Sequence, residues 1–86
     1  MTSFMKTYVI AKLELLKTAM QKRNIKASAV WSDQVQVHIT VNEELIDWWI
    51  NLINEDGASG SDLEEIMRVA NKAWTSVIRS NVYDVE

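Results

Sequence analysis

Apolar residues recur along this chain in three stretches of helical period and one of strict alternation. From Phe4 to Arg23, Met5, Val9, Leu13, Leu16 and Met20 are spaced by four, four, three and four, with Tyr8, Ala11, Leu15 and Ala19 as an adjoining row. That period predicts an amphipathic helix over 4–23, with Thr2 or Ser3 as its cap. Thr7 to Ile10 alone would suit a strand, but no turn or cap residue parts Ile10 from Ala11. The period then changes to two. Val35, Val37, Ile39 and Val41 alternate with Gln36, His38 and Thr40, and Ile25, Ala27, Ala29 and Trp31 would form the matching apolar face of a preceding strand. The pair reads as an antiparallel hairpin of strands 25–31 and 35–41, turning at Ser32-Asp33-Gln34.

The next stretch carries more apolar surface than one side of a small core requires. On a helical wheel for 43–54, Leu45, Ile46, Trp48, Trp49, Ile50, Leu52 and Ile53 spread over about 200°, where a helix lying on one core needs a stripe of about 100° or somewhat more. Such a helix is either sandwiched within its own fold or shows one flank to a partner. Asn42 caps it, Val41 and Ile46 are spaced as a hydrophobic staple, and Glu43 and Glu44 suit the positive end of the helix dipole. Gly57 suits a left-handed residue beyond its end. Ser61-Asp62-Leu63-Glu64 then reads as a capping box opening a third helix over 62–80, on which Leu63, Ile66, Met67, Ala70, Trp74, Val77 and Ile78 share a face. Val82 to Glu86 is left as a short C-terminal tail. These elements predict one α+β domain over 1–86, of order α-β-β-α-α. The expectation is that the first and third helices cover the hairpin, with the Trp helix as a further wall.

Composition narrows the class. Four Trp in 86 residues are more than a small core hides easily, so some indole surface is expected at an interface. No Cys is present, which removes a disulfide framework and thiolate chemistry and points to an intracellular, cytoplasmic setting. Neither a signal-peptide pattern nor an apolar run of the roughly 20 residues that span a bilayer is found, so no membrane role is expected. Charge is divided unevenly: residues 1–26 carry a balance of +5 and residues 27–86 one of -8.

The chemistry expected of the chain is slight. His38 is the only histidine and lies on the polar side of its strand, so neither a zinc site nor a Ser-His-Asp arrangement has the residues it needs. The loop of Gly57 and Gly60 has no Lys after it, and Asp62, Glu64 and Glu65 would repel a phosphate there. No calcium-loop spacing fits either glycine. No metal, cofactor or catalytic residue is therefore assigned. Lys12 falls inside the apolar arc of the first helix, where its stem snorkels from the core or its ammonium meets an acidic partner.

Over its last third, from Leu63-Glu64-Glu65-Ile66 to Trp74, the chain resembles the DNA-damage-inducible DinI family, in which a hairpin precedes an acidic helix. Lacking a clear leading strand and carrying the inserted Trp helix, it is not assigned to that family. In size and plainness it is similar to small phage or mobile-element inhibitor proteins. The expected function is a non-enzymatic protein-protein interaction module, an inhibitor or adaptor acting on a larger complex, and a homodimer. Trp48, Trp49 and Ile50 would be its anchors, with Glu43, Glu44 and Asp47 as a polar rim. The alternative is nucleic-acid binding by a basic strip on the first helix, with Lys6, Lys12, Lys17 and Lys26 as contacts to phosphate or to an acidic partner. The acidity of the whole chain argues against it.

Overall fold

The computed structural model of the protein describes residues 2–84, with side chains for 4–79. Helix α1 (Thr2–Lys22) is followed by strands β1 (Ala27–Ser32) and β2 (Val37–Asn42) and by helices α2 (Glu43–Asn54) and α3 (Gly60–Asp84). This is the α-β-β-α-α order that the periodicity predicts. The cap expected of Thr2 or Ser3 concerns side chains outside the described ones. α3 runs past the expected stop near Ser80, taking in Val82 to Asp84 of the expected tail, while Val85 and Glu86 lie outside the described residues.

Helix ends follow from local chemistry. Asn42 stands extended before α2 and its side chain accepts the backbone N–H of Leu45 at 2.8 Å. At the far end, Gly57 N–H donates to the Leu52 carbonyl and Asp56 N–H to that of Ile53, the paired bonds of a Schellman motif. The left-handed residue of this motif is Asp56, with φ 62, and not Gly57 as the sequence suggested. Gly57 is needed for a different reason: a Cβ there would lie 2.6 Å from Leu52 Cδ1 and 3.3 Å from the Leu52 carbonyl oxygen. α1 closes in the same way, with left-handed Asn24 and the bonds Ile25 N–H to Met20 and Asn24 N–H to Gln21. The box opening α3 sits two residues earlier than expected. Asp62 accepts the Ser59 N–H, Ser59 Oγ accepts the Asp62 N–H, and Leu63 N–H reaches the Ser59 carbonyl, so Ser59 is the cap.

β1 and β2 pair antiparallel, and the register sets Ser28 beside Val41, Val30 beside Ile39 and Ser32 beside Val37. Residues directly opposite each other share a face. Val41 is fully buried, so Ser28, Val30 and Ser32 face inward, and Ala27, Ala29 and Trp31 face solvent. This reverses the apolar face expected of the first strand. β1 packs on α3, which buries Ala70 and Ala73, and small side chains on both elements let helix and strand lie close. The turn is Asp33 to Gln36, closed by Gln36 N–H to the Ser32 carbonyl at 2.7 Å, with Gln36 left-handed. Val35 is therefore in the turn and exposed, and Val37 is exposed beside the turn, against the expectation that both join the buried face.

The hairpin is covered mainly by α3 over β1 and α2 over β2, while α1 packs on α3 and α2 from the far side, so the expected cover by the first helix is replaced by α2. Val9, Leu13 and Leu16 of α1 meet Val41, Ile46, Ile53, Leu63, Val69 and Val77 in one core. Lys72 ties hairpin to helix, donating to the Trp31 carbonyl at 2.8 Å and pairing with Asp33 at 3.3 Å.

Candidate functional site

Successive residues of a helix point 100° apart, so a tandem Trp pair cannot place both rings on one line. In α2, Ile46, Trp49 and Ile53 form the buried row, and Trp49 retains 7% of its surface. Trp48 falls outside that row and stands 57% exposed. Beside it opens a groove of about 340 Å³ between α2, the tip of the hairpin and the first turns of α3. Trp48, Trp49, Leu52, Ile39, Val35, Ile66 and Val69 supply its apolar walls, while Ser32, Gln34, Asp62 and Glu65 supply its polar groups.

The polar side of the groove is organised. Ser32 is 1% exposed, and its hydroxyl donates to Glu65 Oε2 at 2.6 Å. The other oxygen of Glu65 lies 3.7 Å from Arg68 on the next turn of α3. Asp62 is held by its capping bond to the Ser59 N–H. Two fixed carboxylates thus border a wall of indole and aliphatic surface, which suits a side chain with an apolar stem and a cationic end.

Of the six residues expected to contact a partner, the structure brings together only some. Trp48 and Glu44 lie one turn apart and both are exposed. Trp49 is core and Ile50 is half-buried against it. Glu43 and Asp47 face α1: Lys17 Nζ donates to Asp47 Oδ1 at 2.7 Å and lies 3.7 Å from Glu43, which also accepts from Gln21 at 2.7 Å. This contact raises the Lys17 pKa, chiefly through the hydrogen bond to Asp47, with the charges of Asp47 and Glu43 adding to it and partial desolvation opposing.

The α1 lysines do not assemble a basic strip. Lys6 pairs with Asp56, Lys17 with the α2 carboxylates, and Lys12 extends its ammonium over the Trp74 ring at 5.2 Å from the centroid. Lys26 is exposed in the loop before β1. His38 stands on the outer face of β2 as expected, but its neighbour is Trp31, edge-on at 5.1 Å. Among the described residues no group of three or more His, Cys, Asp or Glu could hold a metal ion, and no helix is long and apolar enough to cross a membrane.

Sequence reasoning missed Ser32 and Glu65, read as a turn residue and a helix-dipole charge. The spacing of Glu65 from the cap placed it on the first turns of α3, but only the reversed face of β1 brings Ser32 to it. No family model, curated protein or solved structure matches the chain.

Proposed function

We propose that the protein is a non-enzymatic interaction module that receives a partner protein in the groove beside Trp48. The observation that carries this reading is the division of the tandem pair: Trp49 completes the core, and Trp48 leaves more than half its surface in water at the mouth of an apolar groove. Interface energy concentrates in aromatic anchors beside desolvated pockets, and Trp48 has that setting. Glu44 and the groove's Asp62 and Glu65 give the site an acidic border, so the preferred partner segment carries an apolar residue next to Lys or Arg. A cysteine-free domain of this size fits a cytoplasmic inhibitor or adaptor that works by occupying a surface of a larger complex.

Peptide display selected on the wild-type protein, with the selected peptides then measured on Trp48→Ala, tests the reading. Peptides with an apolar-basic pattern are expected, losing about 2 kcal/mol or more of binding on Trp48→Ala, a variant that melts as the wild type does. Trp49→Ala is expected to lose the fold itself, since truncating a buried Trp costs about 3–5 kcal/mol in a domain whose total stability is about 5 kcal/mol. Selected peptides that bind Trp48→Ala equally well would overturn the assignment of the groove.

A further inference from the structure

A second apolar surface lies on α1, on the side turned away from the core. Phe4, Tyr8, Ala11 and Leu15 follow one another at spacings of four, three and four, the 3.5-residue repeat of a coiled-coil seam. All four are exposed, Phe4 at 80% and Tyr8 and Leu15 at 58% each. The core contacts of the same helix run along another line, through Val9, Leu13, Leu16 and Met20. α1 is therefore apolar on two opposite sides.

Its charges have been moved to the flanks. Lys6, Lys12 and Lys17 are half-buried and engaged with Asp56, the Trp74 ring and the α2 carboxylates. From Phe4 to Thr18, the only charged residue among the exposed side chains is Glu14. The solvent side of a surface helix is ordinarily where its charges gather. Here that side is almost uncharged, and of the positive groups on its flanks Lys6 and Lys17 are paired with carboxylates within each copy while Lys12 is turned onto the Trp74 ring.

We propose that this outer face of α1 is a self-association seam that takes a second copy of the same helix, antiparallel, and leaves the Trp48 groove free. A twofold interface must be self-complementary. The four-three-four spacing reads the same in both directions, and turning one copy end for end between Val9 and Ile10 sets Phe4 against Leu15 of the second copy and Tyr8 against its Ala11. Each contact then joins a bulky side chain to a smaller one. A parallel pair would stack Phe4 on Phe4 and Tyr8 on Tyr8, leaving a gap at Ala11. With about 200 Å² for each aromatic side chain, Phe4, Tyr8 and Leu15 together withdraw about 800 Å² from water over the two copies, before Ala11 and the flanking stems are counted. Specific interfaces begin near about 1,000 Å², so the dimer is weak and concentration-dependent.

Light scattering across a concentration series tests this on three proteins: the wild type, Tyr8→Glu with Leu15→Glu, and Trp48→Ala, each checked by circular dichroism for an intact fold. The wild type and Trp48→Ala should move from monomer to dimer together, and the double variant should dimerise at least about tenfold more weakly. A wild type that stays monomeric at the highest concentration reached, or a dimer that depends on Trp48 and survives the double variant, would overturn the seam. The chain has no Cys, so crosslinking reports orientation cleanly. Phe4→Cys with Leu15→Cys should oxidise to a covalent dimer and Phe4→Cys alone should not; a crosslink in the single variant would overturn the antiparallel arrangement.

Discussion

Gly57 and Gly60 stand three residues apart in one loop and answer to opposite demands. At Gly57 a methyl group would run into Leu52, partly side chain that can yield and partly carbonyl oxygen that cannot. At Gly60, the first residue of α3, nothing lies within 4 Å of the missing Cβ. Gly57→Ala should therefore lower the melting temperature, while Gly60→Ala should raise it by the few degrees that about 0.5 kcal/mol of reduced unfolded-state freedom gives a domain of this size. Ser28 offers a second check. Its hydroxyl is buried and finds no hydrogen-bond partner among the described residues, so Ser28→Ala should leave denaturant stability unchanged or raise it by up to about 1 kcal/mol. The sequence marked Gly57 as a helix-end residue but misjudged the cause, because a close approach between Leu52 and the loop depends on coordinates that no local pattern carries.

Elements were legible where their own period settled them. β2 alternates cleanly, and α2 carries Asn42, two acids and a wide apolar arc, so the type of both and the limits of α2 follow from local chemistry. β1 does not explain itself. Taken alone, Ile25, Ala27, Ala29 and Trp31 are the more apolar set, yet the inward face is decided by which β1 residues stand opposite Val41 and Ile39. The turn spans Asp33 to Gln36 where Ser32 to Gln34 was expected, so Val41 stands opposite Ser28 and not Ile25, a shift of three, and an odd shift brings the other face of a strand inward. The start of α3 was ambiguous for a similar reason, since Ser59-x-x-Asp62 and Ser61-x-x-Glu64 are both capping patterns. The structure uses the first, so Ser59→Ala should cost about 1 kcal/mol in a thermal melt and Ser61→Ala distinctly less. Among the described residues, Ser61 Oγ has its hydrogen bond with the hydroxyl of Ser59 and none with a backbone N–H of the first turn.

Across the whole molecule, the uneven charge along the sequence becomes a set of ties between α1 and the acidic segments that follow. Lys17 is the clearest of them. A lysine whose pKa is raised on folding contributes stability that is fully present below its unfolded value, about 10.4, and that is lost as the pH rises through the folded one. Lys17→Met should therefore melt below the wild type near neutral pH, and the difference should shrink once the pH exceeds about 10.4. Of the candidate site, the sequence made Trp48 legible through the excess width of the α2 arc. It could not show which indole would be core, nor that Glu43 and Asp47 would turn toward Lys17, because both depend on where α1 lies.

α1 rests chiefly on α3, and protein synthesis delivers the two in the worst order for that contact. While the hairpin and α2 leave the ribosome, Val9, Leu13 and Leu16 wait for Leu63, Val69 and Val77, which are still to be made. Native closure of this core thus waits until α3 has emerged. Throughout the interval the nascent chain shows both apolar sides of α1 at once, which makes that helix the segment a ribosome-associated chaperone would meet first.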